Sequence, residues 1–342
     1  MTAYPRINVG AFGAKGDGVT DDSTAILAAV NAAFGMGKLM VPGQSVFSFL
    51  PPIFFPSANY LIEKAQCFNP TAIPPGCSIQ GLSFIGESYG GTQITFNSNG
   101  VGWLFNNQDV ASQIGFKNLQ FIGKTGKESG LRFACTNNAG RVFSSCFEDC
   151  DFSNFAQALR FDGSFNTSEN KFHRVGFGLQ ASQVGITIDN EQAVNFWLDD
   201  IGATGAGTII NLIQGGCVHV RNLAAELQGG VFFTTQPPNA GIGVNNDGIY
   251  FNGGRAELYG NAQFAVIQNG MHCTIRDFNF NPVVPAAGTN HLVATAGGGA
   301  YGSTIRVMDT ISSGNLAASA DSTSSITFDA NCNPIAGAKQ AA

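Results

Sequence analysis

Phe116-Lys117-Asn118-Leu119-Gln120-Phe121, Phe147-Glu148-Asp149-Cys150-Asp151-Phe152 and Phe172-His173-Arg174-Val175-Gly176-Phe177 are three copies of one hexad, and their reading decides the fold. The order is apolar, polar, polar or Gly, apolar, small or polar, apolar. Further copies lie at 79–84, 198–203, 220–225, 275–280 and, in degraded form, 253–258, with successive copies 22 to 37 residues apart. Recurrence at that interval marks a solenoid or a related array. A short, strand-like unit with uneven spacing suits a β-solenoid, whose coils lengthen at a corner without disturbing the stack.

Stacked coils bring equivalent residues within roughly 4.7–4.9 Å of one another, the ordinary strand spacing. The first and last hexad positions then predict interior ring columns: Phe116, Phe147 and Phe172 in one, Phe121, Phe152 and Phe177 in the other. Leu82, Leu119, Cys150, Val175, Ile201, Leu223, Ala256 and Phe278 form the middle apolar column. Alternation along a strand turns the second position outward, which gives Gln80, Lys117, Glu148, His173, Asp199, Arg221, Gly254 and Arg276. From Lys117 to Arg221 that column alternates in sign. It reads first as a cross-coil charge ladder, each opposite pair contributing about 0.2–1 kcal/mol.

The same residues admit a chemical reading. Glu148 and Asp199 are two coils apart, about 9–10 Å between backbones, and side chains could close this to the separations that glycosidases use. The catalytic candidates are therefore Glu148, Asp151, Asp199 and Asp200 as acid and base or nucleophile, with His173 and Arg174 assisting. At the third position, Asn118, Asp149, Arg174, Asp200, Asn222, Arg255 and Asp277 fall where the strand bends. Asn and Asp serve corner backbone groups there more often than chemistry. Trp197, Tyr250 and Tyr259, with Arg221, are the sugar-binding candidates, because aromatic rings stack on sugars. With only 6 Tyr and 2 Trp, a long aromatic groove is not expected.

Composition agrees with stacked coils. The 44 Gly suit tight corners, the 29 Phe suit an interior of superposed rings, and charged residues are only 12%. The net charge of −6 argues against a nucleic-acid-binding face. No run of eighteen apolar residues exists, so no membrane insertion is expected. The opening 1–6 lacks a basic segment leading into an apolar run, so no export signal is expected. The eight cysteines form no CxxC pair and read as reduced, small interior residues. The four histidines, 173, 219, 272 and 291, show no metal-ligand spacing; no metal or other cofactor is expected. His219, alternating with apolar neighbours, is expected to face out of a strand.

At the N-terminus, Asn8-Val9-Gly10-Ala11-Phe12-Gly13-Ala14-Lys15-Gly16-Asp17-Gly18-Val19-Thr20-Asp21-Asp22 reads as a strand and a Gly-rich turn. Asp21 or Asp22 can cap a helix there, with Ile26, Leu27, Val30 and Phe34 on one face and Gly35 and Gly37 as its stop. Gly16-Asp17-Gly18 lacks a P-loop lysine and EF-hand ligand spacing and reads as a structural turn. Residues 43–57, apolar and Pro-rich, are expected to pack on the helix flank or on another subunit, with Phe54 and Phe55 as an oligomer contact. Residues 232–245 read as a long corner loop, and 312 onward as a tail or an assembly strand at Ser325-Ile326-Thr327-Phe328.

The run 8–22, with its following helix and the Lys38-Leu39-Met40-Val41-Pro42 and Asn59-Tyr60-Leu61-Ile62 segments, resembles the opening of the pectate-lyase-like superfamily. That resemblance implies an all-β chain: a single-stranded right-handed parallel β-helix with an N-terminal capping α-helix. The expected divisions are 1–40 for strand and cap, 41–311 for the β-helix, and 312–342 for a tail or small assembly segment. The superfamily includes pectin-processing enzymes, bacteriophage tail spikes and capsule depolymerases. Asp199-Asp200 is similar to the paired aspartates of polygalacturonases, but neither Gly-His-Gly nor Arg-Ile-Lys is present. Arg276 and Arg306 form no recognisable lyase site.

The expectation is a tail-spike-like virion protein, a homotrimer assembled in the host cytoplasm with other virion tail proteins, that recognises host cell-surface polysaccharide. Two alternatives stand beside it: a depolymerase, hydrolase or lyase, using the paired carboxylates, and a structural virion protein that binds no sugar.

Overall fold

The computed structural model describes residues 6–36, 38–39, 47–68, 78–97, 100–106, 111–135, 142–163, 167–236, 248–297, 301–314 and 316–332. Gly37, Met40–Pro42, the start of the 43–57 segment and most of the 232–245 loop lie outside them. The chain divides into two units, Met1–Val175 and Gly176–Ala342.

In the first unit, parallel strands form three ladders. One stacks Ile7–Asn8, Ile53–Phe55, Ser83–Gly86, Gly115–Gly123 and Cys146–Ser153. A second stacks Gln66–Cys67, Val101–Asn106, Ser129–Cys135 and Gln157–Gly163. The third stacks Phe47–Phe49, Ser78–Gln80, Ala111–Ser112 and Val142–Phe143, with Lys38–Leu39 added antiparallel. In the second unit, Phe196–Gly205, Val218–Gln228, Ile249–Gly260, His272–Pro285, Thr304–Met308 and Ser325–Phe328 form one ladder. Val184–Asp189, Thr208–Gln214, Val231–Thr235, Gln263–Gln268, Leu292–Thr295 and Ala318–Ala320 form another. Each strand thus pairs with one a full coil away, and parallel pairing of this kind needs a crossover, nearly always right-handed. The fold is a right-handed parallel β-helix.

The helix Ser23–Met36 packs on the first rung, against Ile7–Asn8 and the 3-10 turn Val9–Phe12. Asp21 caps it, accepting from the Ser23 amide at 3.0 Å. Asp22 instead holds the Gly-rich turn, accepting from Lys15 and Gly16 amides. Its buried stripe is Ile26, Ala29, Val30 and Ala33; Leu27 and Phe34 are only half-buried, so the stripe is rotated from the expected one. Small alanines let the helix approach the rung closely. The 16–18 turn is structural as expected: Thr20 and Val19 amides and the Thr20 hydroxyl donate to Asp17 and hold its carboxyl at about 2.

Phenylalanines build the first unit's core. Phe84, Phe116, Phe147 and Phe172 stack face to face at 5.2, 4.9 and 4.7 Å. Phe121 stacks on Phe152 at 4.9 Å, and Phe105, Phe133 and Phe161 at 5.0 and 4.8 Å. Each fully buried ring contributes about 1.5–3 kcal/mol over leaving it exposed. Phe55 belongs to this core, fully buried beside Tyr60, and Ile53 is buried with it. The expected oligomer contact is corrected for Phe55, which the alternation buries with Ile53 in an interior rung; Phe54 is on the opposite face, half-buried beneath the Arg6 guanidinium at 5.2 Å.

Two hexads are misregistered in the sequence reading. In the first copy, Gly81 turns the chain at φ 80° between ladders, so Ser78–Gln80 belongs to the third ladder. Phe84, not Ile79, then pairs with Phe116, and Gln80 pairs with Ser112, not Lys117. The seventh copy is 251–256: Val220 pairs with Phe251 and Leu223 with Gly254. Gly254, at φ 145°, stands where the column usually holds an aliphatic side chain; a Cβ there would sit 2.6 and 2.8 Å from the backbone O and N of Leu223 on one neighbouring rung and 2.9 Å from the Phe278 ring on the other. The outward second-position residue is consequently Asn252, paired with both Arg221 and Arg276.

The third hexad position has one conformation. Asn118, Asp149, Arg174, Asp200, Asn222 and Asp277 have φ of 57, 52, 51, 55, 53 and 52°, and Gly253 has 76°. Only Gly, Asn and Asp visit this region readily, so the bend favours them in this column, with Arg174 the exception. Cys67, Cys146, Cys150, Cys217, Cys273 and Cys332 are not in disulfides; Cys150 and Cys273 are buried, while Cys67 and Cys146 are exposed, contrary to a uniformly interior role. Among the described residues no helix is long and apolar enough to cross a membrane.

Candidate functional site

Four of the catalytic candidates lie in the first unit, around the column Lys117–Glu148 and its bend. Lys117 Nζ is 3.0 Å from Glu148, and Arg174 Nη2 is 3.1 Å from the same carboxylate. Arg174 also donates through Nε and Nη2 to Asp149 at 2.5 and 2.8 Å, and contacts the ring of His173. That fork holds Asp149 below the usual carboxylate range. Asp151 lies on the other leg of the bend, where it accepts from Tyr89 Oη at 2.7 Å and Gln120 Nε2 at 3.3 Å. Its hydrogen bond pushes the Tyr89 phenol up to about 12. Gln93 continues the column by donating to Gln120. Glu148 therefore stands between two cations, and Asp151 ends an amide ladder.

The other two carboxylates belong to the second unit. Asp199 is 3.5 Å from Arg221 Nη2 and accepts from Asn222 Nδ2 at 3.2 Å. Asp200 is exposed at the bend. The alternating signs read from the sequence are thus ion pairs between rungs in each unit.

The second unit also gathers a site. Trp197, His219 and Tyr250 are register partners on three successive strands and point outward, each one residue before its hexad. The Trp197 and His219 rings stack at 4.1 Å and 6°, and His219 and Tyr250 at 5.0 Å and 12°. Trp197 is 38% and Tyr250 40% exposed, unusual for rings in a chain that buries its phenylalanines. His219 Nε2 is 3.0 Å from the Cys217 thiol. Burial, and then Arg221, hold this imidazole below its usual range. Beside the ladder runs a groove of about 310 Å³, with Arg221, Asn252 and Arg276 along its other side.

Of the sugar-binding candidates, Trp197, Tyr250 and Arg221 meet here. Tyr259 does not: it lies beyond the Gly253 bend and donates to Glu257 at 3.1 Å. His219, Asn252 and Arg276 were not among the candidates. His219 was identified only as outward-facing, and Asn252 was hidden by the misregistered seventh hexad. One signal was available: an aromatic or histidine residue immediately precedes three successive hexads, at 197, 219 and, once the seventh copy is set at 251–256, 250.

The sequence pattern of the family described as rhamnogalacturonase A/epimerase, pectate lyase-like matches residues 6–209. No curated protein matches. Among solved structures the chain is similar to ORF18 of Geobacillus virus E2, with a TM-score of 0.49, 14% identity, and 96% of this chain and 61% of that one covered. It is similar to WceF of Pantoea stewartii, a glycan biofilm modifying enzyme with a bacteriophage tailspike-like parallel β-helix fold (TM-score 0.43, 15% identity, 96% and 42% covered). The Dettilon tailspike protein gp208 gives a TM-score of 0.43 at 11% identity, with 96% and 66% covered. This chain thus spans about two fifths to two thirds of these proteins' lengths, and the likeness is one of fold.

Proposed function

We propose a function from one premise: this chain belongs to the rhamnogalacturonase A/epimerase, pectate lyase-like family. On that premise it is a polysaccharide-recognising protein that binds sugar rings along the outward ladder Trp197–His219–Tyr250. The observation that carries the reading is the ladder itself. Three parallel rings stacked face to face in successive rungs cover one another's inner faces and present their edges, with the outer faces of the exposed end rings Trp197 and Tyr250, beside a groove with polar side chains; a pyranose C–H face can pack on an end ring while its hydroxyls meet the polar wall.

The fuller reading is a tail-spike-like virion protein, trimeric, that engages host cell-surface polysaccharide. Residues 41–311 would present the sugar-binding rungs and 312–342 an assembly segment, with 1–40 as the cap. Affinity electrophoresis of the wild-type chain and the Trp197→Ala and Tyr250→Ala variants in gels containing host polysaccharide tests the recognition step. Retarded wild type and released variants support it; equal mobility of all three in every polysaccharide removes it.

Cleavage is the second reading, and it depends on Glu148, Asp151, Asp199 and Asp200, with His173 and Arg174. Glu148 is engaged by Lys117 and Arg174 and Asp199 by Arg221, so each carboxylate would have to leave an ion pair to meet a glycosidic bond, which favours binding over cleavage. Release of reducing ends or unsaturated uronate from the bound polysaccharide would restore the depolymerase reading.

A further inference from the structure

Arg221 and Arg276 both line the groove beside the ladder, which gives it a cationic look. Each guanidinium nevertheless has a carboxylate beside it. Arg221 Nη2 lies 3.5 Å from Asp199. Arg276 Nε lies 3.6 Å from Asp277 and 3.7 Å from Asp309. Three carboxylates thus stand against these two guanidiniums; exposed Arg306, which follows Tyr250 and Thr274 in register on the ladder's own column, brings the count to three against three. The middle ring of the ladder adds no compensating charge, because burial and Arg221 hold His219 neutral at pH 7.

A polyanion laid in the groove would have to displace a carboxylate from Arg221 and from Arg276 and would then meet the displaced group at close range. The whole-chain charge of −6 repels it from further away. Hydroxyl groups face no such obstacle. A guanidinium has five N–H donors and one loose carboxylate contact does not exhaust them; Asn252 both donates and accepts, and the aspartates accept. The surface therefore offers mixed donors and acceptors with no net positive charge, next to three stacking rings.

We infer that the ligand of the Trp197–His219–Tyr250 ladder is a neutral polysaccharide, and that polyuronates are discriminated against. This rests on the glycan-recognition reading above and narrows its substrate class. It departs from what the pectate in the family description suggests.

Tryptophan fluorescence of the full chain provides the test, since the other of its two tryptophans, Trp103, is fully buried and Trp197 reports alone. The probes are neutral gluco-, manno-, xylo- and galacto-oligosaccharides on one side, and oligogalacturonate and oligoguluronate on the other. Each is titrated between about 0.01 and about 1 M NaCl, over which the screening length falls from about 30 to about 3 Å. At least one neutral oligomer is expected to bind with an affinity that salt leaves unchanged, and Tyr250→Ala to weaken it about tenfold, or ~1.4 kcal/mol. The Asp277→Asn, Asp309→Asn double variant, which releases Arg276, is expected to gain binding of oligogalacturonate relative to the wild type. Uronates that bind the wild type more tightly than every neutral oligomer, and are lost at high salt, would overturn the inference while leaving glycan recognition intact. If neither class perturbs Trp197, recognition at the ladder falls, and this inference with it.

Discussion

Replacing Phe147 with alanine should destabilise the protein by about 3–5 kcal/mol, the range for removing a fully buried ring. Phe147 is 0% exposed, stacks on Phe116 at 4.9 Å and Phe172 at 4.7 Å, and meets the edges of Phe133 and Phe152 at 6.0 Å each. The rungs above and below are fixed by backbone pairing, so they cannot collapse into the vacated volume. The upper part of the range is therefore expected. With an unfolding entropy near 2.1 cal/mol/K per residue, a 342-residue chain has about 0.7 kcal/mol/K, so Tm should fall by roughly 4–7 °C. Phe147→Leu keeps most of the volume but loses two stacked faces, each worth about 0.5–1.5 kcal/mol, and should fall between wild type and Phe147→Ala. Thermal melts followed by circular dichroism measure both. Tyr301→Ala, at a 77% exposed position, is the control and should lie within about ±0.5 kcal/mol of wild type. A Phe147→Ala melt indistinguishable from that control would refute a core of stacked rungs.

Three other outcomes follow from the same geometry. Glu148→Gln removes the ion pairs with Lys117 and Arg174 and should cost about 0.2–1 kcal/mol per pair, a loss that shrinks in high salt; denaturant titrations at two salt concentrations measure it. Asn222 sits at φ 53°, so Asn222→Val should cost about 1–2 kcal/mol whereas Asn222→Gly is tolerated, a contrast that the same titrations resolve. His291 is 1% exposed, accepts from the Ala317 amide at 3.0 Å, and is held below its usual range by burial. The unfolded chain binds that proton near pH ~6.5 and the folded chain only at lower pH, so stability should decline as pH falls from about 6.5 through the folded value. In a pH series of melts His291→Gln should flatten this slope; an unaltered slope would assign it to other groups.

The sequence made the fold legible where a hexad kept phenylalanine at both ends. Phe116 and Phe121 meet Phe147 and Phe152 in the register that the pattern demands. The pattern failed at two places for different reasons. At Gly81 the chain changes ladder, and a one-dimensional repeat does not reveal which sheet a strand joins. At 251–256 the slip is by two residues, which keeps Ala256 and Leu258 facing inward and so hides the error, although the bend at Gly253 moves Gly254 from the outward to the interior column. The crowding that fixes glycine at 254, by the Leu223 backbone on one rung and the Phe278 ring on the other, is a contact between rungs, visible only once the rungs are stacked. The alternating charges were legible because opposite signs on neighbouring strands attract. The aromatic ladder was half legible: Trp197 and Tyr250 were identified by residue type, but their adjacency through His219 needed the corrected register.

The account turns on where a sugar lies, and the most direct measurement is the crystal structure of the protein soaked with an oligosaccharide that it retards in affinity gels. Pyranose rings seated on Trp197 and Tyr250, with hydroxyls against Asn252 and the two arginines, are the predicted result. A bound chain resting elsewhere, for instance beside Glu148 and Asp151 with the Trp197 ring bare, would contradict it.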